Sequence, residues 1–190
     1  MSDPATQTGD DSDVGRCDDP AGGADEFPRP PTAFADAEGR PVEIRGLVDG
    51  DRSALVDLYD AFDPADRAQG LPPGTRAGVE SWLADICETG VHTVAWHDER
   101  AVGHACLVPT RDARHELAIF VVGDYQHAGI GTRLLRCLLG QGAGHGVERV
   151  WLVVQPRNTV ARRLYESAGF DRAGDQGGLS ATDVEMERRL

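Results

Sequence analysis

The chain has 190 residues, enough for one domain with a core of ordinary size. It carries 32 acidic residues against 19 basic ones, every basic one an arginine, for a formal charge of −13; this balance excludes the positive surface that a nucleic-acid backbone requires, and it fits a protein kept soluble in a salty, halophilic cytoplasm. The longest apolar run, 117–122, covers six residues where a bilayer span needs about twenty, and the acidic start lacks the apolar core of a signal peptide, so a cytoplasmic location away from membranes is expected.

Residues 1–40 hold ten acids and three arginines with almost no apolar periodicity. Such a segment cannot bury enough surface to offset its ordering entropy, and a disordered acidic tail is expected there. The folded domain is expected over 41–190. Residues 42–48 alternate like a strand, and Asp49 and Asp51 offer N-cap chemistry for a helix through 54–59. Asp63-Pro64 and the Pro-Pro-Gly run near 71–74 break that helix. A second helix spans 76–88, with Val79, Trp82, Leu83 and Ile86 on one face and Gly90 after its end.

Strands are expected at 91–97 and 101–109 around a turn at 98–100, then a turn at 111–114 and a strand over 116–122. The helix from 129 to 140 places Ile130, Leu134, Leu135, Leu138 and Leu139 on one stripe, and the glycines of 142–146 stop it. Residues 150–154 are a buried strand without alternation, 158–168 a helix closed by Gly169, and Val184 and Met186 mark a final edge. The order β-α-α-β-β-β-α-β-α-β-β gives an α/β class with a mixed sheet. Cys17, Cys87, Cys106 and Cys137 form no C-x-x-C pair, and the six histidines show no metalloprotease spacing. Buried thiols, with no metal, are therefore expected of the last three.

Two segments carry chemistry. In the first, strand 116–122 feeds Gly123-Asp-Tyr-Gln126-His127-Ala128-Gly129-Ile130-Gly131, which opens a helix. Glycines at 129 and 131 let backbone N–H groups approach a ligand at a helix start, where the dipole equals roughly half a positive charge; such a turn suits a pyrophosphate. Direct N–H contacts also survive high salt, where the Debye length is about 3 Å at 1 M. A dinucleotide fingerprint would want a third glycine where Leu134 stands, and a P-loop would want a lysine this chain lacks. The second segment, 158–170, reads Asn-x-x-Ala-x-x-Leu-Tyr-x-x-x-Gly-Phe, with Asn158, Ala161, Leu164, Tyr165, Gly169 and Phe170 at those places.

Together these segments resemble the GNAT N-acetyltransferase superfamily, whose turn reads Gln/Arg-x-x-Gly-x-Gly/Ala and whose later helix carries the second pattern. The stretch 116–126 is similar to bacterial Pat-type protein-lysine acetyltransferases. The resemblance implies a GNAT-like mixed, mostly antiparallel central sheet flanked by helices, and acetyl-CoA as co-substrate. It implies that Phe120, Val121 and Val122 pair their backbone with the pantetheine arm. Gln126, His127, Ala128, Gly129, Ile130, Gly131, Thr132 and Arg133 would hold the pyrophosphate, and Asn158 would bond the pantetheine arm or a water. It implies that Tyr165 protonates the departing thiolate and that Glu116 is the base. On the residues alone, Asn158 also reads as a helix N-cap, Tyr165 as an aromatic packed under the sheet, and Glu116 as a solvated strand-end charge.

A base is needed because an amine of pKa near 10.4 is free in only about one molecule in 2,500 at pH 7, a penalty of roughly 4.6 kcal/mol. A partly buried carboxylate can serve, with neighbouring His115 as the second candidate. The expected reaction is direct attack of an amine, on a protein lysine or a small molecule, on the thioester; Cys106 and Cys137 have no adjacent base for a covalent route. A non-catalytic acyl-CoA-binding regulatory module is the alternative. Oligomeric state is left open.

Overall fold

The computed structural model describes residues 27–62, 72–173 and 183–190. The expectations for 1–26, for the break at Asp63-Pro64 through Leu71, and for the loop 176–182 lie outside the described residues. The strands are β1 (Thr32–Ala35), β2 (Pro41–Gly46), β3 (Val91–His97), β4 (Arg100–Pro109), β5 (His115–Val121), β6 (Arg149–Val154), β7 (Asp171–Arg172) and β8 (Val184–Arg189). The helices are α1 (Arg52–Asp60), α2 (Arg76–Thr89), α3 (Ile130–Gly144) and α4 (Thr159–Ser167). They build one eight-stranded sheet in the order β1-β2-β3-β4-β5-β6-β8-β7. Only β5 and β6 run parallel.

The expected order holds from β2 onward, but the sheet starts earlier than residue 41. β1 pairs antiparallel with β2, Thr32 opposite Ile44. Ahead of it Phe27 is buried and the chain crosses α3 so closely that a Cβ on Gly140 would lie 2.5 Å from the Pro28 carbonyl oxygen. Acidic composition over 1–40 conceals this short strand, whose four residues are too few to show periodicity and whose order comes from pairing. Asp51 also departs from expectation. Its carboxylate caps no helical N–H of α1; it takes both guanidinium nitrogens of Arg45 at 2.6 and 2.8 Å and the Val48 N–H at 3.0 Å.

Tyr59 of α1 reaches His104 on β4, so His104 marks the sheet face covered by α1 and α2. A Cβ on Gly103 would instead meet Leu134, so the opposite face belongs to α3. The stripe expected on α3 is realised in full: Ile130, Leu134, Leu135, Leu138 and Leu139 are all buried. Among the described residues no helix is long and apolar enough to cross a membrane.

Candidate functional site

β5 pairs with β4 along its whole length, from Pro109↔His115 to Gly103↔Val121. With β6 it pairs only at His115↔Val150 and Glu116↔Trp151. Beyond Glu116 the two parallel strands part, and among the described residues 117–121 have no sheet partner on that side. Val122 N–H donates to Val102 across β4 at 3.0 Å, so by alternation Ile119 and Val121 turn their peptide groups toward the opening. Gln126 confirms the direction for one of them, donating Nε2–H to the Val121 carbonyl at 3.1 Å and tying the turn to the strand end.

The turn leaves β5 through a short 3₁₀ segment, Gly123–Tyr125. His127 (φ 61) and Gly129 (φ 83) then take left-handed backbone before α3 begins. A glycine at 129 removes the Cβ strain of that region, and a Cβ built there would meet nothing within 4 Å. Gly129 is the N-cap of α3 and supplies no side chain, so the first amides of the helix have no intrahelical acceptor. The turn is braced from behind: Ala37 N–H donates to Ala128 O at 3.1 Å, and Arg40 Nη1 donates to Asp124 O at 2.9 Å. A Cβ on Gly131 would lie 3.9 Å from both Val121 and Leu164, so the end of β5, the start of α3 and the middle of α4 converge there.

Within the expected set, Gln126, His127, Gly129, Gly131, Thr132 and Arg133 lie around this convergence at least partly exposed, and Arg133 stacks its guanidinium 4.4 Å from the Phe34 ring. Val122, Ala128 and Ile130 are buried; Val122 spends its N–H on Val102 O and its carbonyl on Tyr125 N–H, so nothing is left for the backbone pairing expected there. Phe120 is set apart from the turn. Its ring faces α1 and α2, while Val121 beside it faces α3. Asn158 caps α4, its Oδ1 accepting from Ala161 N–H at 3.0 Å; its side-chain amide nitrogen is left for other partners.

Tyr165 is buried next to Phe170, their ring centroids 5.9 Å apart, and burial pushes its phenol up to about 12. Among the described residues its hydroxyl has no protein partner. Partial desolvation by the enclosing strands raises the Glu116 carboxyl above its ordinary range, although the residue is solvent-accessible and keeps much of its hydration. Burial lowers His115, whose Nδ1 is enclosed with no hydrogen-bond partner among the described residues.

A further polar chain lies under α1. Tyr59 Oη is 2.6 Å from His104 Nδ1, His104 Nε2 is 3.0 Å from His92 Nδ1, and His92 Nε2 is 3.0 Å from Ile86 O. The carbonyl can only accept, which fixes every hydrogen: His92 donates to Ile86, His104 to His92, and Tyr59 to His104. Burial lowers both histidines and keeps them neutral. Cys106 joins them in the single group of potential metal-holding side chains among the described residues, with ligand atoms within 4.8 Å. The two imidazoles are coplanar within 3°, with centroids 5.3 Å apart, so their facing nitrogens point at one another and share a hydrogen. Burial holds the Cys106 thiol near 12, so the trio offers no thiolate. A two-residue turn at 98–99 joins β3 to β4, and a register shift between Ala95 and Trp96 then sets His92 opposite Cys106, on the face that also carries His104; turn residues alone do not show that shift.

The Acetyltransferase (GNAT) family matches residues 55–170. An uncharacterized N-acetyltransferase of Mycobacterium tuberculosis is 34% identical over 101 residues, covering 50% of this chain and 65% of its own length. The chain thus spans less than two-thirds of that relative's length. The [ribosomal protein bS18]-alanine N-acetyltransferase of Salmonella typhimurium is 36% identical over 120 residues, 63% of this chain and 78% of its own. In fold, the GNAT domain of S. lividans PAT superposes with a TM-score of 0.69 at 15% identity, over 84% of this chain and 97% of that domain.

Proposed function

We propose that this chain, which belongs to the GNAT acetyltransferase family, moves an acetyl group from acetyl-CoA to the nitrogen of an amine. The observation that carries the reading is the fork itself: an unpartnered edge of β5 that runs straight into a left-handed glycine turn and a helix start with free amides. An extended chain of amides, such as pantetheine, can complete the first as a strand would. A diphosphate can take the second.

The reaction forms an N–C bond and breaks a C–S bond, with one proton leaving the amine and one reaching the sulfur. Glu116 faces the α1/α2 side of the fork, and its raised carboxyl sits closer to the working pH than an ordinary carboxylate. Tyr165 stays neutral at that pH. Burial holds its phenol near 12, so it meets the sulfur with its proton in place. Tyr165 therefore acts by donating a hydrogen bond to the sulfur as charge builds on it. Asn158 serves first as the cap that starts α4 and so fixes where Tyr165 lies.

The acceptor is an amine on a protein or a small molecule. The Pat-like stretch around Glu116 favours a lysine ε-amine, while the name of the Salmonella relative points to an α-amine. Release of coenzyme A thiol, followed with acetyl-CoA and a panel of amines in dilute buffer and in concentrated KCl, tests the proposal. Turnover that needs both partners is the expected result; binding of coenzyme A with no turnover on any amine would leave a regulatory acyl-CoA-binding module instead.

A further inference from the structure

We infer that the half-buried rings of Trp82 and Phe120, backed by the enclosed ring of Tyr59, form the wall against which the acceptor lies, and that they select a primary amine carried on an apolar stem, an alkyl chain or an arylalkyl group. The inference rests on the acyl-transfer reading above.

The placement follows from register. Cross-strand partners share a sheet face, so Val108↔Glu116, Cys106↔Ala118 and His104↔Phe120 put Glu116, Ala118 and Phe120 on the side covered by α1 and α2. Ala118, the smallest of the three, leaves room between the carboxyl and the Phe120 ring. Around that ring stand Tyr59 at 5.3 Å, Phe62 at 5.8 Å and Trp82 at 6.1 Å, centroid to centroid. Tyr59, Trp82 and Phe120 are close to mutually perpendicular, at 77°, 83° and 86°, and so make a corner and not a stack. Trp82 and Phe120 are half-buried, leaving part of each ring to line the face on which Glu116 sits; Tyr59 behind them is wholly enclosed.

The polar chain ties the corner to the elements around it. Tyr59 is held at its hydroxyl by His104, His104 by His92, and His92 by the last turn of α2, the helix that carries Trp82. Trp82 thus shares a helix with the end of the hydrogen-bonded chain, and Phe120 packs against the ring at its start, 5.3 Å from Tyr59.

The selectivity follows from what the corner lacks. It offers ring carbons where the stem of the amine would lie, which suits methylene or aryl groups. An α-amine carries a peptide carbonyl two bonds away, and that carbonyl would give up its water against aromatic carbon.

Initial rates at saturating acetyl-CoA, compared at equal free-base concentration, test the inference with four acceptors. These are methylamine, 2-phenylethylamine, a peptide whose only amine is one lysine side chain, and a peptide whose only amine is an N-terminal alanine. The two stemmed amines should exceed the other two in kcat/KM by about tenfold or more. Trp82→Gln should erase most of that ratio, and the Tm and coenzyme A affinity of the variant show whether it has folded. Equal kcat/KM across the four acceptors, or a ratio unchanged in a folded Trp82→Gln protein, overturns the inference. If no amine turns over, the acyl-transfer reading falls by itself, and calorimetry of 2-phenylethylamine binding to the coenzyme A-loaded protein still decides the wall. Heat that disappears in Trp82→Gln supports it, and no heat in the parent overturns it.

Discussion

Tyr59→Phe deletes one oxygen from the interior and nothing else. The ring contacts of Tyr59 are kept, but His104 Nδ1 loses its only donor at a residue with 0% exposure. No rearrangement of the chain restores that donor, because Ile86 O fixes His92 and His92 fixes His104. An orphaned buried acceptor costs about 1–3 kcal/mol, and a chain of this size loses roughly 2–4 °C of Tm per kcal/mol, so a fall of about 2–12 °C is expected. Acid adds a second signature. Burial sets both histidines below their ordinary 6.5, so the fold keeps them neutral while the unfolded chain takes up protons near that value. The stability they contribute is whole above about pH 6.5 and is lost as pH falls from there toward their folded values. Urea unfolding of the parent and of Tyr59→Phe at pH 7.5 and 5.5 measures both effects. A variant as stable as the parent, with a parent equally stable at both pH values, would refute the directed chain.

Tyr165→Phe should lower kcat by about a hundredfold with little change in the KM for acetyl-CoA, because the lost hydrogen bond forms as charge reaches the sulfur; a loss under threefold would remove Tyr165 from the chemistry. Glu116→Gln should reduce kcat/KM and abolish its acidic limb, whose midpoint in the parent lies above the ordinary carboxyl value of 4.5. A limb that persists in the variant would pass the role of base to His115. Gly129→Ala puts a Cβ on backbone at φ 83, a strain of about 1–2 kcal/mol, and should weaken coenzyme A binding severalfold by calorimetry. Gly131→Ala meets only contacts of 3.9 Å and should leave the melting temperature unharmed; a large destabilisation there would contradict the convergence of β5, α3 and α4.

Local patterns fixed most of what was legible in the amino-acid sequence. The strand–turn–helix over 116–140 and the helix closed by Gly169 depend on apolar period, glycine and a capping asparagine, all of which act within a few residues. Those two segments carry the resemblance to the acetyltransferase family, whose match covers 55–170. Three things needed the tertiary structure. β1 exists because β2 offers it a pairing edge, which the charge of its flanks conceals. Which way Phe120 faces depends on sheet register, and register carries its ring away from the glycine turn and into the aromatic corner. The chain Tyr59–His104–His92 joins an α1 ring to β4, β3 and the last turn of α2, a closure across 45 residues at its longest step. Sequence spacing records none of these, because each is settled by which faces meet when the sheet is covered.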